Sequence, residues 1–516
     1  MKNYRGMIYQ HGIYPDIMKQ ILFPMKNSLL LPVAILPLLF LSCSKDRSNH
    51  LYAPGMQDEK TAVVTNSSSE ETSTTDYVIS REMVDAYLQS ELNQKREQYT
   101  ISPYPSNDNP LLYIVNFEEG WKILPGDSRF GLVLAESSTG HIKPSVKSDN
   151  PGFNLWIEDY LNQIGAARDL VLEGSKADEG SQIWALFKAP GTMDNNEARW
   201  SANREQMWGK INFQTNTVID TLGYKAPLLQ TKWGQQNPWY VSMPTMNGNT
   251  CLTGCAAVAV SQVLYYFHSQ QNMPTGLYGS ISIQGTTLHG GPGVDPYLSI
   301  TVDRSNFTYN SSLWNNMPLD SVGVNPTGYK NVSDLMLDVG SRLQLHYRPS
   351  FTGIVTNYNN YYDTTPCKVS GIWESYSQAA VSSLVSSLDS NKPVIACAKL
   401  NDGSGHTWVI DGYYMAEITT TNTYEWWPVN MIPPGTAIYG YKGVTELLAE
   451  YNNSIYPGIL DISETSYSSN LLHMNWGNNG REDGYATFGS PYNNWQGFTN
   501  NIAIQVYLSP SEFTQN

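Results

Sequence analysis

TGCAAVAVSQVLYYF, residues 253–267, is the stretch on which the fold turns. Val260, Val263, Leu264 and Phe267 recur at i, i+3, i+4 and i+7, the period of one helix face. Ala256, Ala257 and Ala259 leave room for another element to pack close. Gly254 and Cys255 stand where this helix is predicted to start. A thiol at that point feels the positive end of the helix dipole, which favours the thiolate. The thiolate is the form that attacks a carbonyl. The competing reading is a buried structural cysteine, since Cys is among the residues most often fully buried. The segment alone does not separate the two.

Three further segments bear on that choice. In PVIACAKLNDGSGHTWVIDGYY (393–414), Val394–Leu400 and Thr407–Tyr413 read as two strands joined by a Gly-rich loop. His406 stands where the second strand leaves the loop, placed to face a helix N-terminus as general base. Asp411 reads as a strand-end or capping residue, not a catalytic partner. In LLHMNWGNNGREDGYATF (471–488), strand-like residues end at Asn475 and Trp476 before a Gly/Asn turn. An Asn carbonyl can accept the imidazole N–H and fix its tautomer, and an adjacent indole can shield that bond from water. In TKWGQQNP (231–238), Gln235 can donate its amide to an oxyanion, with the Cys255 N–H as partner. Each segment has a plain alternative: a turn histidine, a turn asparagine beside a core tryptophan, a surface glutamine. Together they give Gln235, Cys255, His406 and Asn475 in the chain order of papain-like enzymes. The papain signature around the cysteine itself is absent.

The rest of the chain sets bounds. Its 516 residues suggest two or three folded units. Apolar residues make up 41%, enough for a large core, while charged residues are only 15%, below the usual quarter. A net charge of −15 without any Lys/Arg-rich patch argues against nucleic-acid binding. Besides Cys255 the cysteines are Cys43, Cys251, Cys367 and Cys397. The last three are too scattered to staple a large domain and are expected as buried thiols. No Cys/His set has metal-ligand spacing, so neither metal nor organic cofactor is expected.

Residues 26–43, KNSLLLPVAILPLLFLSC, have a basic start, an apolar run and a small residue before Cys43. The run Leu29–Leu41 is shorter than the roughly 20 residues a membrane helix needs, so it reads as a signal peptide. Leu-Ser-Cys resembles a bacterial lipoprotein cleavage site with Cys43 as the lipidated residue. Phe40 departs from that pattern, and plain secretion is the alternative. Met25 is the expected start of translation. Residues 44–76 are rich in Ser, Thr and Glu and read as a flexible tether. Residues 77–165 read as a small α+β unit with a helix over 80–95, a strand over 111–117, strand–turn–strand over 118–140 and a helix over 151–164. Residues 166–227 read as a less regular linker with a processing site, and 228–510 as the second unit. Within it, 424–452 reads as an inserted loop near the cleft.

Taken together, the chain resembles the streptopain-like cysteine peptidases, a papain-fold family. The markers are LLQTKWGQQNPWY (228–240), TGCAAVAVSQVLYY (253–266), WNNMP (314–318), LMLDVG (335–340), KPVIACA (392–398), GHTWVIDGY (405–413) and HMNWG (473–477). LLYIVNFEEGWKILPGDSR (111–129) resembles the family's inhibitory propeptide. The resemblance implies an α+β, papain-like catalytic domain behind an α+β pro-domain. It implies Cys255 as nucleophile, His406 as base, Asn475 as the imidazole-orienting residue, Trp476 as its cover and Gln235 in the oxyanion hole. It implies a secreted or lipid-anchored bacterial cysteine endopeptidase, made as a zymogen and working through an acyl-thioester on Cys255. Its partners would be protein or peptide substrates, its own pro-domain and, through a lipid on Cys43, a membrane. The family's NWGWGG reads NWGNNG here (475–480), with Asn478 and Asn479 replacing Trp and Gly. Two rival readings are a catalytically quiet surface-binding protein on the same fold and a cell-wall amidase.

Overall fold

The computed structural model describes residues 77–92, 98–144, 147–169, 178–187, 207–270, 286–290, 298–302, 311–343, 345–350, 352–354, 369–375, 377, 380–399, 405–433, 435–488 and 502–510. The signal region, Cys43, the tether, Cys367 and most of the loop before His406 lie outside the described residues. So do 170–177 and 188–206 of the expected linker.

The N-terminal part builds α1 (Arg81–Leu92), β1 (Tyr99–Tyr104), β2 (Leu112–Phe117), β3 (Trp121–Pro125), β4 (Ala135–Ser137), α2 (Pro151–Asp169) and α3 (Asp178–Leu186). The helical spacing of 80–95 puts Met83, Val84, Tyr87 and Leu88 on the buried face of α1. β1 to β4 form an antiparallel meander. Next comes β5 (Met207–Lys225), a strand of 19 residues where an irregular linker was expected.

The remaining chain forms β6 (Thr245–Met246), β7 (Asn249–Thr250), α4 (Cys255–Tyr265), β8 (Thr286–Gly290), β9 (Leu298–Val302), α5 (Ser311–Asn315), α6 (Pro326–Arg342), β10 (Leu345–Tyr347), β11 (Thr352–Ile354) and β12 (Val369–Ser375). Then follow α7 (Ala380–Asp389), β13 (Val394–Lys399), β14 (Gly405–Pro428), β15 (Gly440–Gly443), α8 (Val444–Glu450), β16 (Ile459–Asn475), β17 (Gly484–Ala486) and β18 (Ile502–Pro510). The architecture is α+β. One sheet runs β1-β2-β3-β4-β17-β16-β14-β13-β18-β12. The N-terminal meander is therefore continuous with the sheet that bears His406, through Glu136 opposite Tyr485 and Ala135 opposite Ala486.

Alternation along the strands sorts side chains onto two faces. Ile395, Cys397 and Val409 join a core built by α4 and α6. Ala396, Trp408, Ile410 and Met474 join a core with Phe153 and Trp156 of α2 and Leu384 of α7. A third core sits where α1 and α3 cover Ile418 and Leu471.

β14 is 24 residues long and pairs with β16 from Val409–Asn475 out to Trp426–Ile459, with β5 on its other side. At about 3.3 Å per residue this ribbon carries its tip on the order of 50 Å from Asn475. The segment expected as a loop near the cleft is in fact the end of β14, then β15 and α8, at that tip. Its alternation was masked because the covered face keeps Thr217, Thr420 and Asn422 as well as Ile418.

Candidate active site

Cys255 is the first residue of α4, and only 6% of its surface is exposed. Gly254 before it has φ 89°, and a Cβ there would lie 2.9 Å from Thr352 Cγ2. Both conformation and space demand glycine at that corner. Two turns along α4, Gln262 is fully buried and bridges two segments. Its Oε1 accepts from the Trp233 N–H at 3.3 Å, and its Nε2 donates to Asn475 Oδ1 at 3.0 Å. Asn475 Nδ2 donates to the Thr231 carbonyl at 2.9 Å, and the Gly477 N–H donates to Asn475 Oδ1 at 3.2 Å. The Asn475 amide thus ties α4, the 231–233 segment and the 475–477 turn together.

His406 is 3% exposed and lies on the other face of the sheet, beside Trp408 and Trp476. Its Nε2 is 2.9 Å from the Trp476 carbonyl. A carbonyl only accepts, so that nitrogen carries the proton. The structure therefore holds the imidazole through the Trp476 backbone and not through the Asn475 amide. Trp476 is 1% exposed; its N–H donates to Asp483 Oδ1 and its Nε1 to the Glu482 carbonyl, both at 3.0 Å. The start of α2 fits against this pair. A Cβ added to Gly152 would fall 2.3 Å from His406 Cδ2, 2.7 Å from its Nε2 and 2.8 Å from Trp476 Cε3. The neighbouring Asn150 caps α2 by accepting from the Phe153 N–H at 3.1 Å and donates to the Arg481 carbonyl at 2.9 Å.

Gln235 is half-buried, and its carbonyl accepts from the Thr253 N–H at 3.2 Å, just before the nucleophile. Cys397 pairs with Thr407 across β13–β14, next to the Ala398–His406 pair. Burial pushes the Cys397 thiol up to about 12, and the nearby Cys255 adds to the rise. Burial alone pushes Cys251 up to about 11. Both are buried free thiols, as the sequence reading expects of them. Asp411 is buried; it accepts from the Leu229 N–H at 3.0 Å and meets His473 Nδ1 at 2.6 Å. Burial works against the charge on His473, but Asp411 and Asp483 outweigh it and hold its pKa above the ordinary value.

Residues 233–430 match the Peptidase C10 family. Over this segment the chain is similar to the C10 cysteine peptidases. The C10 match takes in Gln235, Cys255 and His406 and ends before Asn475 and Trp476. Among solved structures, a mutant prointerpain A fragment from Prevotella intermedia is 18% identical, with a TM-score of 0.45 over 80% of this chain and 100% of its own. The active wild-type interpain A cysteine protease of the same organism is 22% identical, with a TM-score of 0.35 over 55% and 95% respectively. No curated protein matches the sequence.

Two residues of this candidate site have little or no signal of their own in the sequence. Gln262 lies seven positions after Cys255 on the same side of α4, a spacing that flags it. Gly152 has only the Pro-Gly pair at a helix start as a signal, and nothing in that pair points to a distant histidine.

Proposed function

We propose that this chain is an exported cysteine endopeptidase made as a zymogen, with residues 77–165 as its inhibitory pro-domain. The observation that carries the zymogen reading is the seat of Gly152 against His406 and Trp476. α2 fills the space on the imidazole's edge, and the ring's Nε2 is committed to a backbone carbonyl. Cleavage between the pro-domain and residue 228 frees the imidazole to turn toward Asn475 and Cys255. Peptide hydrolysis then follows from the residues present. Cys255 Sγ gives its proton to His406 and forms a bond to the substrate carbonyl carbon, and the oxygen takes up negative charge facing Gln235 and the Cys255 N–H. The C–N bond breaks, and the amine leaves with a proton from His406. Water, losing a proton to His406, attacks the thioester and releases the acid, which restores the thiol. Export through the 26–43 signal and a lipid on Cys43 complete the proposal, supported by the layout of that segment alone.

The test is casein hydrolysis, with a thiol reductant, by the chain and by its Cys255→Ala variant. The expected result is that only the unsubstituted chain removes its N-terminal part and then cuts casein. If neither cuts, even after limited trypsin, the peptidase reading fails. Radiolabelled fatty acid incorporated by the chain but not by its Cys43→Ser variant checks the lipid.

A further inference from the structure

The family's second turn glycine is Asn479 here, and its placement is specific. Asn479 has φ 59°, the left-handed region that Asn tolerates better than most residues. Glycine would serve that backbone equally well, so the side chain must be judged by what it touches. The Asn479 N–H donates to the Trp233 carbonyl at 3.2 Å. Its Oδ1 accepts from Trp239 Nε1, and it lies 2.8 Å from where a Cβ of Gly234 would be. Trp233 and Trp239 are both fully buried. They bracket the segment Gly234–Pro238 that contains Gln235. Asn479 therefore grips that segment at both ends, one end by backbone and the other by side chain. A glycine at 479 keeps only the first grip.

We infer that Asn479 is a positioning residue for the oxyanion hole, fixing the Gln235 segment relative to the Asn475–Gly480 turn. The inference rests on the peptidase reading above. Removing an oxyanion donor outright costs about 10²–10³ in kcat. Loosening the segment that carries it, with every donor still present, costs a fraction of that, about ten-fold.

The experiment uses the full chain after activation, with Asn479→Gly and Asn479→Asp. Peptide-amide hydrolysis gives kcat and KM, and iodoacetamide gives the alkylation rate of Cys255. Acylation builds an oxyanion whereas alkylation does not. The expected result is that Asn479→Gly lowers kcat about ten-fold, with KM and the alkylation rate within about two-fold. Asn479→Asp, which keeps an acceptor for Trp239 Nε1, should retain kcat within about three-fold. Loss of alkylation in step with kcat overturns the inference, since the thiol itself would then be disturbed. So does an Asn479→Gly variant with a lowered melting temperature and unchanged kcat. An inert unsubstituted chain fells the peptidase reading instead, which keeps the two failures apart.

Discussion

Two helices begin at opposite faces of one sheet edge, and each has a glycine at its start. α4 comes from the face that buries Ile395, Cys397 and Val409, and α2 from the face that buries Ala396, Trp408 and Ile410. At α4 the glycine answers a backbone demand: Gly254 has φ 89° and aims the chain into Cys255. At α2 it answers a demand for space, because Gly152 fits where any Cβ meets His406 and Trp476. A nucleophile must be held in one conformation throughout the enzyme's life, so its corner is set by a glycine at positive φ and built into the core. On the zymogen reading proposed above, a plug needs only to fit and then to leave. The comparison divides the site into a permanent half around Cys255, Gln262 and Asn475 and a provisional half around His406.

The largest effect that sharpens this division is thiol selectivity. In the activated enzyme at pH 7, Cys255 should be alkylated at least ~10³-fold faster than Cys251 or Cys397. Those two are held as thiols by burial, at about 11 and about 12. Peptide mapping after iodoacetamide labelling checks it; comparable labelling of Cys397 would place the reactive thiol elsewhere. Next in size is a strike at the plug. Gly152→Val forces branched carbons onto the imidazole edge, and such overpacking costs about 1–3 kcal/mol. The uncleaved chain should then convert to the active form about ten-fold faster, with the kcat of the activated enzyme unchanged because Gly152 has gone. Conversion followed on gels decides it, and an unaltered rate would separate Gly152 from inhibition.

The permanent half was legible because its residues sit at element boundaries that periodicity marks. The apolar stripe of 253–267 fixed the helix, and the helix start fixed Cys255. Alternation around His406 and the break after Asn475 fixed the two strands. Its hydrogen bonding was less legible. Asn475 was read as facing the imidazole, but strand alternation sets its amide on the α4 face, where Gln262, Thr231 and Gly477 use it. The plug was not legible, since the contact joins residues far apart in sequence and the signal is a missing side chain. The long ribbon escaped for another reason. With Thr, Ser and Asn on both faces, β5, β14 and β16 lack the apolar alternation by which strands are recognised.

The smallest expected effect tests whether the turn after Trp476 belongs to both halves. Asp483 accepts from the Trp476 N–H at 3.0 Å, and Trp476 in turn holds His406. Loss of surrounding water raises the Asp483 carboxyl to about 7, helped by Asp411 and opposed by His473, the Trp476 N–H and Lys232. Its folded pKa lies above the unfolded value near 4. Its stabilising contribution is therefore fully present below about pH 4 and is lost as pH rises through about 7. His473, also raised, acts in the same direction from about pH 6.5 upward. Asp483→Asn keeps an acceptor for the Trp476 N–H but cannot ionise. It should flatten the fall in melting temperature between pH 4 and 8 and leave the variant the more stable chain at pH 8, by a few degrees. Parallel stability curves for the two chains would mean that Asp483 ionises in the fold as it does in water, and that the turn holds His406 without any electrostatic cost.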